Sequence, residues 1–373
     1  MSTTKVTTNI ITSPNPSNNP RLLPVEATWP VSPSCSIALV GEAPGETEAL
    51  EGKPFIGSSG RLLDGMLRAA GVDRSKCLVT NVFMSRPPAN QVSYFFAKKG
   101  DVVTAYPPFG KHGFVKAEWA GELDRLKIEL EQFKPNIVVA LGATALWALC
   151  GRDGITAFRG TVLASTLVPG LKVIPTFHPA YIMRQYDDRP TVTADLAKAV
   201  QESGFPEIRR TAREIWIEPS WGDILLFEKR HMQNMSILTY DIETDPWVSK
   251  QMLCIGLAPN PTHAIVIPFI DKRKPGWNYW PTLAHEMKVW QWVADKLQDP
   301  SYKKQAQNGL YDIQWLARYG IKVRGETEDT LLLHHSLQPE LRKGLDYLGS
   351  LYCNEAPWKT MVSFKHNANN KKD

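Results

Sequence analysis

Cys35-Ser36-Ile37-Ala38-Leu39-Val40-Gly41-Glu42-Ala43-Pro44-Gly45 is a short apolar run that stops at a Gly- and Pro-containing loop. A run this short and this apolar reads as a buried strand feeding a loop. Three more runs of the same kind lie at 77–83, 136–141 and 172–177. Helical patterns fall between them at 60–70, 116–133 and 143–150, and a last one at 191–202 closes the set. Strands alternating with helices predict a parallel sheet covered on both faces. Residues 34–204 are therefore expected to form a three-layer α/β/α domain, with residues 1–33, rich in Thr, Asn, Ser and Pro, as a flexible tail.

The chain has 373 residues, enough for two ordinary domains. Residues 205–235 read as a connection that opens the second domain, with a strand at 214–218 and a helix at 221–231. Residues 236–360 carry strands at 236–239, 252–258, 264–268 and 304–307, and helices at 282–297, 309–319, 330–337 and 344–352. A polar tail, 361–373, ends the chain. Hydrophobic residues make up 43%, which excludes a disordered protein, and the net charge of +5 permits a nucleic-acid partner without requiring one. The five cysteines are scattered, with no CxxC pair, which argues against a disulfide framework or a local zinc motif and fits a reducing cytosol. No apolar run approaches the ~20 residues that span a membrane, so no membrane partner is expected.

In open α/β sheets ligands bind beyond the carboxyl ends of the strands. Three unusual segments follow expected strands here: Gly41-Glu42-Ala43-Pro44-Gly45-Glu46 with Gly52-Lys53-Pro54-Phe55-Ile56-Gly57, Thr80-Asn81-Val82 leading to Arg86-Pro87-Pro88, and Pro175-Thr176-Phe177-His178-Pro179-Ala180. Taken singly, these side chains are also ordinary core and turn residues; in order on successive strand ends they read as a pocket. These segments resemble the motifs of family 4-type uracil-DNA glycosylases, over about residues 34–202, with Leu141-Gly142-Ala143-Thr144-Ala145 and Phe158-Arg159-Gly160 between them.

The resemblance implies a flipped uracil. It implies that Gly41, Phe55, Asn81 and His178 bind the base, with Phe55 stacking on it and Asn81 reading its edge. It gives His178 the charge developing on the uracil, and Glu42 the water or the cationic sugar. Glu42, Asn81 and His178 are thus the expected catalytic residues. Arg86, Lys98 and Lys99 are expected to hold DNA, and Ile182 to wedge into the base stack, with Tyr181 as the alternative. Most family 4 members hold an iron–sulfur cluster on four cysteines, two of them in an N-terminal pair. That pair is missing here, and Ser85 stands where another cysteine is usual. No iron–sulfur cluster is expected. A long insertion, 90–116, interleaves Tyr94, Phe95, Phe96, Tyr106, Phe109 and Phe114 with lysines. It reads equally as a single-stranded DNA surface and as filling for the space of the cluster. Covalent uracil-trapping relatives place a reactive histidine in this insertion, where His112 lies, but their arginine-rich surroundings are absent.

Asp241-Ile242-Glu243-Thr244 follows a strand, and alternation along a strand puts Asp241 and Glu243 on one face. Asn308 and Asp312 begin a helix with helical spacing. Asp241, Glu243 and Asp312 are an oxygen set that suits Mg²⁺ or Mn²⁺. These segments, with Glu328-Asp329-Thr330-Leu331-Leu332-Leu333-His334-His335 and Lys343-Gly344-Leu345, resemble a DEDD 3′→5′ exonuclease domain of phage family A DNA polymerases. The resemblance implies a ribonuclease H-like α/β fold. The third exonuclease motif, which carries the fourth carboxylate, is not found. The expected protein is thus a uracil-DNA glycosylase fused to an exonuclease-like domain, incomplete or completed by a partner. It would act on uracil-containing DNA, single- or double-stranded, beside a DNA polymerase polypeptide, in a bacterial or phage-infected host cytoplasm. The alternative is a nuclease or polymerase fragment, or a DNA-binding adaptor, whose N-terminal domain scans for uracil without excising it.

Overall fold

The computed structural model describes residues 24–31, 36–245, 251–325 and 327–355. Arg210–Leu345 is one compact unit, and the residues before and after it form the other.

In the first unit the strands are β1 (Ile37–Gly41), β2 (Leu78–Asn81), three short ones, β3 (Phe96–Ala97), β4 (Val102–Val103) and β5 (Phe114–Lys116), then β6 (Ile137–Leu141), β7 (Leu163–Ala164) and β8 (Lys172–Thr176). The helices are α1 (Glu46–Glu51), α2 (Ser58–Ala69), α3 (Ala117–Phe133), α4 (Ala143–Cys150), α5 (Ile155–Phe158), α6 (Pro179–Ile182) and α7 (Arg189–Glu202). The main sheet runs β2-β1-β6-β8-β7, parallel except for the antiparallel edge strand β7. Every residue of β1 is buried, because its two faces feed two cores. Ile37 and Leu39 pack with Leu63, Met66 and Leu67 of α2 and Leu196 of α7. Ala38 and Val40 pack with Leu123 and Leu126 of α3 and Leu146 of α4. This is the three-layer α/β/α arrangement. β1 has β2 on one side and β6 on the other, so the connection changes direction there, and that switch is where open α/β sheets place a ligand crevice.

Three features depart from the expectations. Residues 24–31 are not all tail. Val25 is buried, its N–H bonds to Met84 O at 2.9 Å, Thr28 bridges Val79 antiparallel, and Trp29 sits edge-on to Phe133 at 6.2 Å. Residues 1–23 and Cys35 lie outside the described residues. The 90–116 insertion forms a small antiparallel sheet, β3-β5-β4. Its aromatics turn inward: Phe95 stacks on Phe83 at 3.8 Å, and Phe96 and Phe109 pack on Trp147 at 4.9 and 5.6 Å. Rings buried this way fill a core and do not offer faces to bases, which favours the packing reading.

The second unit contains β9 (Glu214–Ile217), α8 (Trp221–His231), β10 (Ile237–Asp245), β11 (Gln251–Asn260), β12 (His263–Pro268), α9 (Leu283–Gln298), β13 (Lys303–Ala306), α10 (Leu310–Arg318), β14 (Thr327–Asp329) and α11 (Thr330–Leu337). Its mixed sheet has the order β14-β13-β10-β11-β12-β9. Leu238, Tyr240 and Ile242 of β10 join a core with Ile224 and Phe227 of α8, Val289 and Trp292 of α9, and Trp315 of α10.

The third departure is the last helix, α12 (Leu345–Tyr352). From Asp346 onward the chain belongs with the first unit rather than with 236–360. The cause is a buried polar network. Arg159 pairs with Asp195 and donates to Ser350 Oγ at 2.9 Å, and Thr191 Oγ1 and Tyr347 Oη share a 2.7 Å hydrogen bond. Asn354 Nδ2 donates to Glu202 Oε1 at 3.0 Å.

Candidate active site

β1 ends at Gly41 and β2 at Asn81, and the register sets these two residues side by side. A Cβ on Gly41 would overlap Asn81 Oδ1 and the ring of Phe55. Glycine here is what lets an amide and an aromatic ring converge on one strand end. β6 and β8 close together through the Gly142 N–H, which donates to Thr176 O at 2.9 Å. Gly142 has φ +96°, and a Cβ there would lie 3.0 Å from His178 Cβ. That close approach brings His178 in: its ring centroid is 6.0 Å from that of Phe55, tilted by 35°.

Phe55 itself adopts a left-handed backbone, φ +53°, at a cost of roughly 1–2 kcal/mol. Four hydrogen bonds hold it. Arg74 donates to Phe55 O at 2.9 Å and Pro54 O at 2.7 Å. The N–H groups of Ile56 and Gly57 donate to buried Glu48 Oε1 at 3.1 and 2.8 Å. Hydrogen bonds to charged groups contribute about 1.5–3 kcal/mol each, so the strain is covered. Glu48, Arg74 and Arg125, which donates to Asn81 O at 2.7 Å and Val82 O at 3.0 Å, are positioning residues that the sequence reading missed. The only signal for Glu48 was its place one helical turn after Pro44-Gly45, beside other acidic residues.

Electrostatics sharpen the roles open to the two ionisable groups. His178 Nδ1 accepts from the Ala180 N–H at 3.1 Å, so in the neutral ring Nε2 carries the proton. Burial, then the charge of Arg184, pushes the His178 pKa down to about 4, which keeps the imidazole neutral at pH 7. Glu42 Oε2 accepts from Thr144 Oγ1 at 2.5 Å. Burial raises the Glu42 pKa, opposed by that hydroxyl and then by His112. The His112 ring packs on Phe109 at 5.4 Å, and its charge bears on Glu42.

The structure thus gathers Gly41, Phe55, Asn81 and His178, with Glu42 on the loop leaving β1. Arg86 lies near Glu46 of α1, at 3.5 Å. Lys98 and Lys99 are exposed on the turn between β3 and β4. Ile182 is a correction: it is fully buried in the core with Phe177 and Leu196, because the last turn of α6 points it inward, so it is not placed to enter a base stack. Tyr181 packs on Phe177 at 4.8 Å and donates to Asp188 Oδ2 at 3.0 Å. Among the exposed side chains that follow Ile182 is Met183, the next residue along the chain.

In the second unit Asp241 and Glu243 are exposed on the face of β10 opposite Tyr240 and Ile242. Asp312 is buried, its Oδ1 accepts from the Ile242 N–H at 3.0 Å, and burial raises its pKa to about 6. Burial also raises Glu243, and the charge of Asp241 adds to the elevation of both Glu243 and Asp312. Asn308 precedes α10 rather than joining its first turn. Asp329 accepts from the N–H groups of Asn308, Gly309 and Leu331 and so serves as a backbone cap. Among the described residues, the set of three His, Cys, Asp or Glu ligand atoms lying within 4.8 Å of one another is elsewhere in this unit. As they stand, Asp241, Glu243 and Asp312 do not make a coordination sphere.

Residues 30–202 match the family described as the uracil DNA glycosylase superfamily. The chain is similar to the type-4 uracil-DNA glycosylase of Thermotoga maritima, 36% identical over 167 residues, covering 44% of this chain and 75% of that protein. It is likewise similar to the type-4 uracil-DNA glycosylase of Sulfurisphaera tokodaii, 31% identical over 173 residues, covering 44% and 69%. Among solved structures, Brucella melitensis NrnC with bound Mg²⁺ aligns with a TM-score of 0.25 and 16% identity, over 38% of this chain and 61% of that one. The EXD2 exonuclease domain soaked in Mn and GMP aligns with a TM-score of 0.25 and 16% identity, over 43% and 79%. This chain spans less than two thirds of the NrnC chain.

Proposed function

The chain belongs to the uracil DNA glycosylase superfamily, and on that premise we propose that its first unit hydrolyses the N-glycosidic bond of uracil in DNA. The observation that carries this reading is the convergence of Phe55, Asn81 and His178 around Gly41, at the switch point of a parallel sheet. A flipped uracil stacks on Phe55, and the Asn81 amide offers both a donor and an acceptor to its edge. As the bond breaks, negative charge collects on the uracil. The proton on His178 Nε2 points a neutral donor at that charge, fixed in tautomer by the Ala180 N–H, so little reorganises at the moment of reaction. The Glu42 carboxylate, oriented by Thr144, offsets the cationic sugar or holds the attacking water. Arg86, Lys98 and Lys99 supply phosphate contacts, and Met183 replaces Ile182 as the residue that enters the stack. The test is release of free uracil, measured by mass, from single- and double-stranded DNA in EDTA. Binding without release would instead support a scanning adaptor.

The second unit reads as a 3′→5′ exonuclease-like domain taking Mg²⁺ or Mn²⁺ at Asp241, Glu243 and Asp312. Support comes from three carboxylates that burial raises, with the Asp241 charge adding to Glu243 and Asp312, an arrangement a cation would relieve. The region beyond Trp358, where a third motif would fall, lies outside the described residues. A DNA polymerase polypeptide is the proposed partner. Shortening from a 3′ end with either metal, abolished in Asp241→Asn, tests this.

A further inference from the structure

β9 is the edge strand of the second unit and pairs in parallel with β12, in a register that sets Glu214 beside His263. His231, the last residue of α8, stacks its ring on His263, with centroids 4.0 Å apart and planes 20° apart. Asn260 Oδ1 accepts from the N–H groups of Thr262 and His263, at 3.0 Å each, which identifies that atom as the amide oxygen. His263 Nδ1 lies 3.0 Å from the same oxygen, to which it can only donate, and 2.9 Å from the Thr262 hydroxyl, from which it can accept. In the tautomer protonated at Nδ1, Nε2 turns a lone pair toward Glu214 Oε2, 3.7 Å away. A lone pair facing a carboxylate is repulsive, and a proton on Nε2 or a metal cation between the two relieves it. Beside it, His231 Nε2 is buried with no hydrogen-bond partner, an arrangement that costs stability until something binds it. One ligand atom from each of Glu214, His231 and His263 falls within 4.8 Å of the others.

We propose that Glu214, His231 and His263 bind a zinc-class divalent ion, which ties the edge strand β9 and the end of α8 to β12. Two imidazoles and one carboxylate are a donor set that zinc favours over magnesium or calcium. Outer partners are already in place: Asn260 behind His263 Nδ1, and the Trp216 Nε1–H donating to Glu214 Oε1 at 2.6 Å. A tetrahedral ion with bonds of about 2.0–2.1 Å separates its ligands by roughly 3.3 Å, so binding draws the three together. The rings turn out of their stack, and exposed Glu214 moves in. The remaining position is left to water. Edge strands are open to pairing with other chains, and a metal pinned across this one holds it to its own sheet.

The full chain, stripped with EDTA and dialysed, is titrated with Zn²⁺ and separately with Co²⁺. One Zn²⁺ per chain is expected, with a visible Co²⁺ spectrum lacking the near-ultraviolet band of a thiolate ligand. His263→Ala is expected to weaken zinc by more than about 100-fold, and Asn260→Ala by roughly 10- to 100-fold. Asp241→Asn with Glu243→Gln is expected to leave it unchanged. Zinc is also expected to protect residues 205–217 of the wild-type chain from proteolysis. If His263→Ala fails to fold, Glu214→Gln carries the test, since that side chain is exposed. Absence of stoichiometric zinc, a thiolate spectrum, or zinc retained in Glu214→Gln and His263→Ala would overturn the proposal.

Discussion

Replacing Gly41 with alanine tests the geometry that the glycosylase reading depends on. The added Cβ would overlap Asn81 Oδ1 and the ring of Phe55, and would lie 2.8 Å from Phe55 Cε2. Neither neighbour has room to retreat: Asn81 is 3% exposed and Phe55 5%. Overpacking of this kind costs about 1–3 kcal/mol. If the strain is relieved by moving these two side chains off the base, that energy leaves transition-state binding. At 1.36 kcal/mol per tenfold, kcat/KM falls about 5- to 150-fold. The assay is single-turnover uracil release beside a thermal melt. Gly121→Ala is the control. It lies mid-helix in α3, with nothing within 4 Å of the added Cβ, and should add about 0.5–1 kcal/mol of stability with no change in rate. Gly41→Ala within twofold of wild type would refute the reasoning, whether its Tm held or fell.

The pH profile follows from the two shifted groups. His178 stays neutral down to about 4, and Glu42 titrates above its ordinary 4.5. The competent forms, neutral imidazole and ionised carboxylate, both lie above those pKa values, so kcat/KM should be lost only on the acid side. In Glu42→Gln, which removes the carboxylate, a remaining inflection at the ordinary imidazole value of ~6.5 rather than near 4 would contradict this. Glu48→Ala leaves the Ile56 and Gly57 N–H groups without their buried acceptor. It should lower stability by about 2–4 kcal/mol in denaturant melts and kcat/KM at least about tenfold, because Phe55 loses its brace. Arg159→Ala leaves Asp195, 2% exposed, as an uncompensated buried charge. A loss of about 3–5 kcal/mol is expected, together with proteolytic release of α12; an unchanged melt would show that the network contributes nothing.

The three-layer sheet was legible because β1, β2, β6 and β8 are buried on both faces, so that β1 and β6 read as unbroken apolar runs, while β2 keeps an apolar start and β8 an apolar centre, with polar residues at their ends. The pocket was legible because its glycines and its amide, ring and imidazole occur together at strand ends. What escaped the sequence reading is long-range or very short. Two-residue strands such as β3 and β4 carry no periodicity. Ile182 and Met183 are adjacent apolar residues, and only the turn of α6 decides which of them is buried. α12 reads as an ordinary amphipathic helix, and its attachment to Arg159, Thr191 and Lys198 spans more than 150 residues of chain. The Glu214, His231 and His263 cluster comes from three separate elements, so no local spacing announces it.

The most direct measurement uses a labelled oligonucleotide with a single uracil, and its thymine twin, incubated with the full chain in EDTA and then treated with alkali. Strand breakage at the uracil alone, lost by about 100-fold or more in His178→Ala, is the result that base excision by this pocket predicts. An intact uracil strand, or breakage that His178→Ala leaves unchanged, would contradict it.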